Sequence, residues 1–154
     1  MNEADTGPRL ALDIGAHQTV ITAPDGFAWT LPVGMASLWA PSASGPSALA
    51  VENGIQTVED AIERIAAQVP RGARMVLSAG SLAPLQRGSA IAVMAQGSTG
   101  LDGIEREYQL LAARAVGAPS ARGTGFDDAA GDAVLLILRE LMHHLGLRSL
   151  HGPD

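Results

Sequence analysis

The stretch Leu10–Ser37, LALDIGAHQTVITAPDGFAWTLPVGMAS, decides the fold. Leu10 to Ile14 is a short, mostly apolar run interrupted by Asp13 and closed by Gly15, the length and bounding of a buried strand. Thr19 to Ala23 follows as a second strand, because β-branched side chains suit a pleated, half-buried surface. Pro24-Asp25-Gly26 then makes a turn: proline presets φ and glycine accepts the positive φ that follows. Phe27 to Val33, aromatic and β-branched, is a third strand. Three strands with two short connections predict an antiparallel meander.

Outward from the meander, Ala40 to Ser47 is a loop by its proline, serine and glycine content. Ala48 to Val51 reads as a short edge strand ending in a Glu52-Asn53-Gly54 turn. Thr57 to Val69 is predicted helical, with Val58, Ile62, Ile65 and Val69 on one face and Pro70 and Gly72 as stops. Strands are expected at Arg74–Ser78 and Ala90–Ala95. A further helix runs from Gly100, with Ile104, Tyr108, Leu111 and Ala115 inward, to a Gly117 stop. The last helix, Ala129 to Leu145, carries a wide apolar stripe and ends at Gly146. The expected organisation is a mobile tail over residues 1–9, one α/β domain over 10–146, and a short unpatterned tail over 147–154.

Composition narrows the chemistry. The chain has 154 residues, enough for one domain burying about 68–70% of its unfolded surface. With 47% apolar and only 3% aromatic residues, its core must be aliphatic. It has no cysteine, which excludes disulfides and thiol chemistry. All ten Lys/Arg side chains are arginine, a usage matching GC-rich coding, so no lysine serves a Walker-type loop, a Schiff base or a general base. The net charge of −6 argues against nucleic acid as the principal partner. The polar start and the lack of a long apolar run predict a cytoplasmic protein with no transmembrane segment.

The pattern Asp13-Ile14-Gly15-x-x-x-Thr19, followed by a hairpin and a proline-bearing strand, resembles the opening of the actin-like ATPases, and among them the bacterial cell-shape proteins MreB and Mbl. The resemblance implies a single RNase H-like or actin-like subdomain, with a meander extended by further strands and flanked by helices. It implies that Asp13 sits near a magnesium ion, that Gly15, Ala16, His17 and Gln18 form the first phosphate loop, and that Thr19 closes it. Ala16 departs from the family, which has a small hydroxyl residue there. A second piece of resemblance spans Gly100 to Ala118, with Glu105-Arg106 at the family's Glu-Arg position and Asp102 in place of its threonine. Arg74 to Leu82 also resembles the family's late strand and adenosine loop, a rival register.

Continued without a gap, the first register puts Gly125 and Phe126 where the family has its water-orienting glutamate. The second phosphate loop, Asp-x-Gly-Gly-Gly-Thr, is missing. The resemblance therefore implies a degenerate, non-hydrolysing relative, not an enzyme, with no cofactor beyond weakly bound Mg-ATP. It would act in cell-shape or spore-wall morphogenesis by binding full-length MreB or Mbl filaments or wall-synthesis proteins. A homodimer is a further expectation, and a place at the membrane or septum would be reached through a partner. Two alternatives stand beside it. One is an RNase H-fold, RuvC-like nuclease using Asp13, Asp128 and Asp132 to hold metals. The other is an α/β interaction module without a ligand. Asp127 and Asp128 read more simply as caps of the last helix. His143 and His144, adjacent on a helix, diverge by about 100° and do not together chelate one ion.

Overall fold

A computed structural model describes residues 7–85 and 97–153. The meander is formed as expected by β1 (Arg9–Ile14), β2 (Thr19–Thr22) and β3 (Ala28–Leu31). β1 pairs antiparallel with β2, and β2 with β3. The turn places Gly26 at φ 90°, with its N–H donating to the Ala23 carbonyl at 2.9 Å. After helix α1 (Ala48–Glu63), β4 (Arg74–Leu77) lies parallel to β1. A short helix α2 (Ala79–Leu82), strand β5 (Ser98–Gly100), helix α3 (Leu101–Ala115), helix α4 (Gly131–Leu145) and strand β6 (Ser149–His151) complete the order. Among the described residues the sheet runs β3-β2-β1-β4-β6-β5, with β6 parallel to β4 and antiparallel to β5. The expected strand at Ala90–Ala95 lies outside the described residues.

One face of the sheet is buried. Leu10, Leu12, Ile14, Ile21, Met75 and Leu150 join a single core with residues of α1, α3 and α4. α4 is its centre: Val134 to Leu138 are all inaccessible, as in a helix that is apolar all round and covered on all sides. Opposite residues of the same strands, Arg9, Ala11 and Asp13, are exposed, because successive side chains of a strand point to opposite faces.

Three expectations are corrected. Residues 48–51 are not an edge strand. They open α1, whose first turn is capped by Ser47 Oγ accepting the Ala50 N–H at 3.1 Å. The helix thus starts nine residues before Thr57. Gly54, read as a turn, is a packing glycine: a Cβ there would lie 3.0 Å from both Leu136 and Trp39. Finally, residues 147–151 are not a tail. Leu147 and Leu150 are buried, and β6 fills the gap between β4 and β5. Two buried leucines in so short a run carry too little periodicity to be read as a strand.

Candidate phosphate loop and carboxylate site

The loop between β1 and β2 is held from behind. The Gly15 N–H donates to the Gln18 carbonyl at 2.8 Å. The Gly15 and Ala16 carbonyls accept from the Met35 and Ala36 N–H groups at 2.9 and 2.8 Å. Thr19, fully buried, donates its hydroxyl to the Val33 carbonyl at 2.8 Å. In a trans peptide the C=O and N–H point opposite ways, so anchoring those two carbonyls inward turns the amides of Ala16 and His17 outward. Among the described residues the amides of Ala16, His17 and Gln18 meet no protein acceptor, and all three residues are exposed. The close approach depends on Gly34: a Cβ there would lie 2.4 Å from the Gly15 oxygen and 2.6 Å from Ala16.

Asp13 stands at the end of β1 beside this loop. Its Oδ1 accepts the Ser78 hydroxyl at 2.6 Å. The Ser78 proton being so directed, Ser81 donates across the 2.8 Å Ser78–Ser81 contact, and its own oxygen accepts the buried Ile14 N–H at 2.8 Å. This chain of bonds polarises in one direction and fixes the carboxylate. Asp13 also lines a cavity of about 250 Å³ with Val20, Thr22, Ser78 and Pro153. Ser78 and Ser81 were missed as site residues. The signal for them was the parallel pairing of Arg74–Leu77 with β1, which the sequence does not display. β4 lies directly beside β1.

On the loop's other side, a cavity of about 290 Å³ is shared by Ala16, Met35, Trp39 and Asp128. It adjoins a larger one of about 600 Å³ between the 42–46 loop and the 117–129 segment, where Arg114 and Arg122 stand. Asp128 does not cap α4 as expected: the N-cap is Ala130, without a side-chain bond, and Asp128 Oδ1 accepts the Ala130 N–H at 2.8 Å in a turn just before the helix. Gly125 and Phe126 are structural, Gly125 packed against the Arg114 guanidinium with φ 106° and Phe126 against the core.

The nuclease triad does not assemble. Asp132 is engaged by Arg114 through two bonds of 2.9 and 3.0 Å. Among the described residues, Asp13, Asp128 and Asp132 form no group able to hold one ion. Glu105 is a link between helices: it accepts from Arg139 at 2.9 Å and contacts His143, both on α4. Burial raises the Glu105 carboxyl, but His143 and Arg139 outweigh it and hold it below the ordinary carboxylate value.

No protein-family model and no curated protein matches the sequence. Solved structures do match. A PPX-GPPA enzyme of Aquifex aeolicus superposes with a TM-score of 0.68 at 14% identity, over 96% of this chain and 54% of that one. An exopolyphosphatase-like protein matches at 0.62 and 13% identity, over 100% of this chain and 58% of that one. An exopolyphosphatase of Cytophaga hutchinsonii matches at 0.56 and 13%, over 97% and 54%. The fold is actin-like. The chain spans a little over half the length of these structures, and the likeness at this identity concerns the fold.

Two expectations change with this finding. The neighbours are named as Ppx/GppA phosphatases and exopolyphosphatases, so the MreB/Mbl and cell-shape part of the resemblance gains no support. The expectation of a non-enzyme is overturned by the same neighbours. It rested on the missing second phosphate loop and on Gly125 and Phe126 occupying a glutamate's place; Asp128 and Ala16 line one cavity. Among the described residues no helix is long and apolar enough to cross a membrane.

Proposed function

We propose that this chain forms the phosphate-gripping half of a Ppx/GppA-like phosphohydrolase cleft, acting on a phosphoanhydride chain such as inorganic polyphosphate. One observation carries the grip: the outward amides of Ala16 and His17, which with that of Gln18 meet no acceptor among the described residues, beside a pre-oriented carboxylate. Successive backbone N–H groups of this kind bind phosphate oxygens without any lysine. The substrate class rests on fold analogy to the neighbours.

Asp13 suits a magnesium ion, which is commonly held by one or two carboxylates and otherwise by water and substrate phosphate. Its Oδ2 would be the protein ligand, and the ion would supply charge neutralisation at the phosphates. Asp128, with Oδ1 fixed by the Ala130 amide, would orient water from the opposite side of the loop. The opposing wall of the cleft lies outside these 154 residues, in further sequence, a separate chain or a second copy.

The test is calorimetric titration with polyphosphate in the presence of Mg2+, alongside an assay of phosphate release. Gly34→Ala and Asp13→Asn should each weaken binding at least tenfold, about 1.4 kcal/mol. Asp128→Asn should leave binding intact and lower turnover. Polyphosphate binding indifferent to Gly34→Ala and Asp13→Asn, or no binding at all, would defeat the reading.

A further inference from the structure

The helical layer carries a group of side chains that the phosphate site does not use. Glu140 and His144 are one turn apart on α4 and so share a face. Glu59 reaches the same point from α1. His144 Nε2 lies 3.4 Å from Glu59 Oε1 and 3.2 Å from Glu140 Oε2, and the three donor atoms are all within 4.8 Å of one another. In a tetrahedral site with metal–donor distances of about 2.0–2.2 Å, neighbouring donors stand about 3.3–3.6 Å apart. The two distances to His144 are close to that spacing before any adjustment.

The surroundings are those of an oriented ligand set. Glu140 is 2% exposed, and its Oε1 is held by Arg139 at 2.8 Å, which leaves Oε2 directed at His144. Such a partner on the far oxygen is how ligating carboxylates are aimed. Glu59 and His144, at 37% and 42% side-chain exposure, leave an entry path from solvent. Charge points the same way. Glu105 and Glu140 share one arginine, Arg139, and Glu59 adds a third carboxylate beside His144.

We propose that Glu59, Glu140 and His144 bind one divalent transition-metal ion, of the Zn2+ class, that staples α1 to α4. One imidazole with two carboxylates selects such an ion over Mg2+ or Ca2+, which prefer all-oxygen shells. Water completes the coordination on the exposed side. The proposal is independent of the phosphate reading.

Co2+ replaces Zn2+ and reports its coordination by visible absorption. Untagged, metal-free protein titrated with Co2+ should take up one equivalent, displaced by Zn2+, and Zn2+ should raise the melting temperature. Glu59→Gln and His144→Ala should each weaken binding at least tenfold and abolish the thermal shift; both side chains are exposed enough for the variants to fold, which circular dichroism checks. His143→Ala should bind as wild type does. Absence of Co2+ uptake would overturn the proposal, leaving His144 as an ion-pair bridge between two carboxylates. Uptake that survives His144→Ala, or that His143→Ala removes, would overturn it as well.

Discussion

The two faces of the sheet are made by alternate residues of the same strands, yet they answer to different physics. On the covered face Leu10, Leu12 and Ile14 are at most 2% exposed and packed with the helices. On the open face of the same strand Arg9, Ala11 and Asp13 meet solvent. The first set holds the molecule together, and the second, with the loop at its end, carries the chemistry. Because register keeps the sets apart, a substitution can strike one and spare the other.

The largest effect expected is on the covered face. Leu12→Ala leaves a cavity in a close-packed core and should cost about 2–5 kcal/mol, measured by urea unfolding. Gly34→Ala strikes where the faces meet: the new Cβ overlaps the Gly15 oxygen and should cost about 1–3 kcal/mol while disordering the phosphate grip. An unfolding midpoint equal to wild type would show that the loop gives way easily. Ser78→Ala removes both the cap of α2 and the hydrogen bond to Asp13, and should cost about 1 kcal/mol.

Away from both faces, Glu105→Gln should cost about 0.5–1 kcal/mol. The Glu105 carboxyl is held below 4.5 in the fold, so its contribution is present above pH 4.5 and lost as pH falls through the lowered value. Unfolding of wild type and variant measured across that range should converge in acid; a gap that persists there would assign Glu105 a packing role. The smallest stability effect belongs to Asp13→Asn, within about 0.5 kcal/mol of wild type, although ligand binding should be lost. A large loss of stability would move Asp13 from the functional set to the structural one.

Much of this division was legible in the sequence. The meander and the apolar stripe of the last helix have periods that a linear reading detects. The start of α1 was not legible, because Gly54 has the signature of a turn and is used for close helix packing. The site was legible in part. Asp13 and the 15–19 loop carry a local motif, and the structure places them together. Ser78, Ser81 and Gly34 act through approaches across the chain that local spacing does not encode. Asp128 reads as a cap in the sequence but holds the turn before α4, and its place in one cavity with Ala16 is a long-range approach that spacing does not encode. Glu140 and His144 were overlooked because the adjacent histidines drew attention to the wrong pair.

The position of β6 has a consequence for how the chain assembles. Among the described residues β5 pairs only with β6, and β6 joins β4 across some seventy residues of intervening chain. The meander and β4 can pair as soon as they are made, but among the described residues β5 finds its partner strand only when residues 149–151 exist. Late closure of this kind slows folding and leaves the lower edge of β4 open during synthesis, the interval in which the chain is most exposed to pairing with a neighbour.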